Sequence, residues 1–228
     1  MSLLHLNDIS KVYSEETANQ TKALRSINLT INEGDFTVIS GPSGSGKTTL
    51  LNMMGGLDQP TKGSIILNNQ TITHLKETQL AKIRLHNIGF IFQAYNLIPV
   101  LTAMENMEYV LMLQGIKKHE RDRQVMTIAK QLEIEDLLSK IPAQMSGGQQ
   151  QRVAIARAIV AKPKIVLADE PTANLDSKAG ETLLTLMKNL NEVDSITFVF
   201  ASHDRAVINK AKRHIYLKDG QIENDTYQ

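Results

Sequence analysis

The stretch "GPSGSGKTT" at residues 41–49 limits this chain more than any other part of it, because it lies between an apolar run, "FTVIS", and a helical pattern, "TTLLNMMGGL". It satisfies G-x-x-x-x-G-K-[ST] in full, in the strand-to-helix setting the pattern requires. Glycines at 41, 44 and 46 let successive backbone N–H groups turn inward around phosphate oxygens, and the helix that follows adds the positive end of its dipole. Gly41, Pro42, Ser43, Gly44, Ser45 and Gly46 are therefore read as an anion cradle. Lys47 reaches the β- and γ-phosphates, Thr48 offers its hydroxyl to Mg2+, and Thr49 continues the segment into the helix. A chain built on this loop needs a buried strand before it and a helix after it, which is the start of an α/β fold.

Further apolar runs read as strands at 2–9, 26–31, 35–41, 63–69, 87–93, 163–170, 196–202 and 213–222. Helical patterns lie at 46–57, 77–84, 103–114, 120–131, 147–161, 177–192 and 204–211. The runs "DFTVISG", "KIVLADE" and "ITFVFAS" are continuously apolar, as strands buried on both faces of a parallel sheet must be. The early strands alternate more and predict an antiparallel layer. No strand pattern falls between Gln93 and Ala161, so a helical block, 94–160, is expected as an insertion into a core formed by 1–93 and 161–228. The polar "SEETANQTK" at 14–22 reads as a surface loop.

Two more strand ends carry chemistry. "IVLADE" closes an apolar strand with adjacent carboxylates, and consecutive strand side chains point to opposite faces, so Asp169 and Glu170 must do different work unless the chain bends there. Asp169 suits the Mg2+ shell of a nucleoside triphosphate, and Glu170 suits the general base that polarises an attacking water. "ITFVFASHD" empties a second buried strand into Ser202, His203 and Asp204 at the same edge of the sheet. His5, His74, His86, His119 and His214 are read as structural, whereas His203 lies at a strand's carboxyl end, where open α/β sheets place their ligands, and is positioned for a γ-phosphate. Gln93 ends "IGFIFQ" at a comparable place and can sense metal or water through its amide.

"MSGGQQQR" at 145–152 is, by itself, a helix start: Ser146 as N-cap, Gly147 and Gly148 in the tight entry, and Gln149 in capping-box position. With the phosphate loop, the carboxylate pair and the strand-end histidine in this order, however, the chain resembles an ATP-binding-cassette (ABC) ATPase over nearly its whole length. The phosphate loop at 41–48, Gln93, the signature loop at 145–149, Asp169 with Glu170, the "NLD" turn at 174–176 and His203 each match a family element. Tyr13 in "SKVY" matches the aromatic that stacks on adenine, and Met145 stands where the family usually has Leu. The resemblance implies that ATP is clasped between two cassettes, Ser146 and Gly148 of one donating to the γ-phosphate held by Lys47 of the other. Within the family, "GFIFQAYNLIPVLTAMENM" and "ADEPTANLDSKAG" look like the group serving macrolide exporters and lipoprotein-release complexes. It implies Mg2+-ATP hydrolysis, a cassette homodimer, and a separately encoded integral-membrane permease served from the cytoplasmic face of the inner membrane.

Bulk properties narrow the alternatives. Lys+Arg 25 against Asp+Glu 24 leaves no basic surplus to advertise nucleic acid, and Cys 0 removes disulfides and thiolate metal sites. No apolar window approaches the ~18 residues a spanning helix needs. A soluble cassette of translation or DNA repair is the alternative, but such chains carry two cassettes or long coiled coils, and this one has no heptads. A phosphate-loop small-molecule kinase would explain 41–48 and leave 145–149 idle.

Overall fold

Parallel strands that bury both faces need apolar cover on each side, and the chain supplies it from two different kinds of structure. The computed structural model describes residues 1–13 and 20–228, so most of the loop expected at 14–22 lies outside the described residues. The chain opens with β1 (Ser2–Tyr13), β2 (Thr21–Asn32), β3 (Phe36–Ser40), α1 (Lys47–Met54), β4 (Lys62–Leu67) and β5 (Gln70–Thr71). It continues through α2 (Glu77–Asn87), β6 (Ile88–Ile91), α3 (Ala103–Leu113), α4 (Lys118–Gln131) and α5 (Gly147–Ile159). It ends with β7 (Ile165–Asp169), α6 (Ser177–Asp194), β8 (Thr197–Ala201), α7 (Arg205–Lys210), β9 (Arg213–Lys218) and β10 (Gln221–Tyr227).

The six-stranded sheet has the order β10-β9-β3-β8-β7-β6, parallel throughout except for the edge strand β10. A four-stranded antiparallel sheet, β2-β1-β4-β5, lies against it across α1. Side-chain alternation divides the interior into two cores. Phe36, Val38, Val166, Ala168, Phe198 and Phe200 point into one, with α3, α4, α5 and α6. Ile39, Ile165, Leu167, Val199, Ala201, Ile215 and Leu217 point into the other, with α1 and the antiparallel layer. The strand ends that follow β3, β7 and β8 thus emerge side by side at one edge, held by packing on both faces.

Where the elements differ from the pattern, turn chemistry explains it. The run at 213–222 is a hairpin, β9 and β10, because Asp219 and Gly220 both take positive φ, 48° and 76°, as a two-residue hairpin turn of the primed type demands. The two-residue β5 follows an equivalent reversal at Asn68 and Asn69, with φ 48° and 61°. The first helix stops at Met54 instead of 57, at the Gly55–Gly56 pair, and Thr21 and Lys22, expected in the loop, open β2.

Arg213 fastens the hairpin to the antiparallel layer. Its side chain is 7% exposed, donates through Nε and Nη2 to the two carboxylate oxygens of Asp225 at 2.8 and 2.6 Å, and gives Nη1 to the Thr30 carbonyl. The Tyr227 ring lies 5.0 Å from the guanidinium. A fork of this shape needs Arg, since Lys presents a single point charge. Removing one partner of a buried pair costs about 3–5 kcal/mol, and Asp225 is partly exposed, so Arg213→Ala is expected to cost about 2 kcal/mol. Denaturant unfolding of the two chains measures this, and Arg213→Lys should recover only part of the loss.

A nucleotide site at the strand ends

Gly41 leaves β3 with φ 152°, and a Cβ placed on it would lie 1.9 Å from the Leu217 carbonyl oxygen of β9. Gly46 has φ 104°, and its Cβ would meet the Ala23 carbonyl at 2.5 Å. No other residue type can turn the loop this tightly against the neighbouring strands. Gly220 secures it from outside by donating its N–H to the Ser45 carbonyl. Lys47 folds its ammonium over the loop and donates to the carbonyls of Gly41 and Pro42 at 2.8 and 3.0 Å. Ser45 Oγ is buried with no hydrogen-bond partner among the described residues, so its O–H is available inside the turn.

Asp169 ends β7 beside the loop, its Oδ1 accepting from Thr48 Oγ1 at 3.4 Å. Burial pushes this carboxyl above its ordinary range and neighbouring Glu170 adds to the rise, while the Thr48 hydroxyl opposes it. A carboxylate whose charge is costly when alone is stabilised most by a cation, and one carboxylate with one hydroxyl is the sparse protein donor set Mg2+ takes when phosphates complete its shell.

At Glu170 the chain bends, as its carboxylate needs if it is to face the same edge as Asp169. Its φ is 48°, an uncommon region for a residue with a Cβ, and its N–H donates to the Ala201 carbonyl of β8. The carboxylate is held at both ends: Oε2 accepts from the buried Ser202 hydroxyl at 3.0 Å, and Oε1 lies 2.7 Å from His203 Nδ1. Glu170 is 15% exposed while the His203 ring is 74% exposed. Ser202 accepts in turn from the Asp204 N–H, and Asp204 Oδ2 accepts from Thr172. Its part was not evident in the sequence, where Ser202 was only the first polar residue after a strand.

A cavity of about 730 Å3 gathers Tyr13, the loop from Gly41 to Thr49, Gln93, Asp169, Glu170 and His203. A cavity of about 830 Å3 lies elsewhere, among Glu33, Lys162, Asp194 and Thr197, and holds none of the motif residues. Ser146, Gly147, Gly148 and Gln149 do not line the first cavity. They form the N-terminus of α5 with the expected capping box, Ser146 Oγ accepting from Gln149 N and Gln149 Oε1 from Ser146 N. Two contacts tie that helix and its surroundings to the site: Gln151 donates to the Pro171 carbonyl, and Asn174 of the "NLD" turn donates to the Gln93 carbonyl at 2.7 Å. A Cβ on Gly147 would lie 2.9 Å from the Tyr95 hydroxyl, the far end of a side chain that can swing aside.

A glycine loop opening a helix at the end of a buried parallel strand, with a carboxylate and a candidate base on the next strands, defines a phosphate-loop nucleoside triphosphatase. Residues 24–173 match the family described as ABC transporter. The chain is 46% identical to the uncharacterized ABC transporter ATP-binding protein MJ0796 of Methanocaldococcus jannaschii, over 98% of this chain and 96% of that one. It is 42% identical to the lipoprotein-releasing system ATP-binding protein LolD 1 of Chlorobium chlorochromatii, over 98% and 92%. The fold is similar to the dimeric post-hydrolysis structure of the ATP-binding cassette MJ0796 bound to ADP and Pi, with TM-score 0.91 and 44% identity over 99% of this chain and 98% of that one. The chain belongs to the ABC transporter family as an ATP-hydrolysing, ATP-binding subunit. Nothing in these likenesses supports the translation or repair reading.

The clamp on Glu170 is testable without touching nucleotide contacts. Ser202→Ala frees one carboxylate oxygen and should lower kcat about ten-fold with little change in KM, as expected when a candidate base is mispositioned. Steady-state hydrolysis at saturating and limiting ATP checks it.

Proposed function

We propose that two copies of this chain clasp two MgATP molecules, hydrolyse them with Glu170 as general base, and thereby drive a separate permease of the macrolide-export or lipoprotein-release type. The reading rests chiefly on Glu170, a strained and doubly held carboxylate facing the cavity that the phosphate loop lines. Lys47 carries the positive charge for the β- and γ-phosphates, and Tyr13, which lines the same cavity, offers its ring to adenine. Thr48 and Asp169, with Gln93 nearby, are the residues that would hold Mg2+, which when bound neutralises charge on the phosphate oxygens. Glu170 takes the proton of the attacking water as its oxygen bonds to the γ-phosphorus and the bond to ADP breaks. His203, donating Nδ1–H to Glu170, keeps that carboxylate aimed.

Ser146, Gly147, Gly148 and Gln149 lie outside their own chain's cavity at a helix N-terminus, which suits them to a partner cassette's γ-phosphate. The dimeric MJ0796 structures support that arrangement by likeness. Glu170→Gln keeps the size of the side chain and removes the base, so it should bind MgATP and accumulate as a dimer, whereas MgADP should leave it monomeric. Light scattering after size exclusion reads both states. Adding Ser146→Arg should abolish the dimer; a dimer that persists would sink the reading of the signature loop.

Residues 94–160 are assigned as the helical lobe that meets the permease. Val100, Tyr109, Met112 and Leu113 are exposed apolar side chains within it, and among the described residues no helix is long and apolar enough to cross a membrane. These features support a peripheral subunit at the cytoplasmic face. Because the chain has no cysteine, single cysteines at these positions give clean crosslinks to a permease loop, and their yield should change between MgATP and MgADP. Crosslinks found only from 1–40 or 205–228 would contradict the assignment.

A further inference from the structure

Tyr13 lines the cavity, and its side chain is held by a set of contacts that hydrolysis does not require. Its hydroxyl donates to Asp58 Oδ2 at 2.8 Å. Lys11 Nζ donates to Asp58 Oδ1 at 2.7 Å and to the Gln59 carbonyl at 2.8 Å, and sits over the Tyr13 ring 4.8 Å from its centre.

Asp58 belongs to the segment that leaves α1, and its position is fixed to that helix. The N–H groups of Leu57 and Asp58 reach back to the Asn52 carbonyl in the last turn of α1, and Gly55 N–H bonds to Leu51. The other end of α1 begins at Lys47 in the phosphate loop. An unbroken line therefore runs from the tyrosine hydroxyl through Asp58 and the helix to the phosphate loop. The Lys11 ammonium sits over one face of the ring, so a stacked base would take the other.

We propose that Asp58, held by Lys11, is a positioning residue that fixes the Tyr13 ring at a set distance from the phosphate loop, so that the site measures the span from base to phosphates. The inference rests on the reading that Tyr13 stacks on adenine. A half-exposed ring on a strand end, left without its hydroxyl partner, explores several rotamers, and only some of them present a face to a base whose phosphates are already seated. Asp58 itself makes no contact with nucleotide in this account; it acts through the phenol.

The test compares MgATP with inorganic tripolyphosphate, which has the phosphates and no base, in equilibrium titrations of the full chain. Tyr13→Phe and Asp58→Ala should each weaken MgATP about three- to ten-fold, the range for losing one partly exposed hydrogen bond. The double variant should be no weaker than the worse single one, because both remove the same link. Asp58→Asn, which keeps an acceptor for the phenol, should recover most of the affinity. Tripolyphosphate binding should be unchanged in all four. Additive losses, or a parallel loss of tripolyphosphate, would overturn the positioning role, the latter because it marks damage to α1. Tyr13→Phe keeps the test decisive if Asp58→Ala proves unstable. A Tyr13→Ala chain that binds MgATP as tightly as the original would instead refute base stacking itself; a Tyr13→Ala loss without an Asp58→Ala loss would refute only the positioning.

Discussion

The rest of the site depends on one steric fact: the backbone after β3 passes the Leu217 carbonyl so closely that no side chain fits at residue 41. That passage turns the amides of the loop inward and starts α1 at Lys47, so the helix dipole, the loop N–H groups and the lysine converge on the same volume. It also obliges β9 to lie beside β3, because the wall that excludes a side chain is β9 itself. The phosphate cradle and the sheet order are in this sense one constraint. Arg213, which pins the β9–β10 hairpin to Thr30, supports the wall from behind.

One residue of the cavity, Glu170, has a strained backbone. The other non-glycine residues with positive φ lie in turns and loops or at irregularities of β1 and β2, whereas Glu170 takes it directly after β7, at the edge of the cavity. Its cost is met by the N–H bond to Ala201 and by the two side chains that hold the carboxylate. A relaxed, extended residue 170 would point away from the edge that Asp169 faces. The bend lets adjacent carboxylates serve one cavity in different roles, with the half-buried Asp169 suited to a cation and the doubly held Glu170 to a proton.

Much of this was legible in the residues because the phosphate loop, the carboxylate pair and the capping box are local: each is set by a few neighbours and by a strand or helix whose periodicity is strong. The buried parallel strands were evident for the same reason, since Val, Ile and Phe without alternation admit few other readings. What escaped was either a turn inside a continuous pattern, as at Asp219–Gly220 and Asn68–Asn69, or a contact between distant segments. Ser202 on Glu170, Asn174 on Gln93 and Asp58 on Tyr13 join residues far apart in the chain, and no spacing announces them. Arg213 read as the start of a strand, and only the hairpin that returns Asp225 to it shows why that position is arginine.

The capping box at the start of α5 has a consequence for assembly. Among the described residues Ser146 Oγ is engaged only as an acceptor, from the Gln149 N–H, so its own hydrogen can be given away. The serine can therefore stay a helix cap while it engages an anion, and the first turn of α5 need not unwind or reorder when a second cassette arrives. Side chains already locked in their bound rotamers lose little entropy on association. In the proposed dimer, an interface built this way would form and dissolve once per turnover, its lifetime governed by the charge it encloses and not by the cost of folding its own surface.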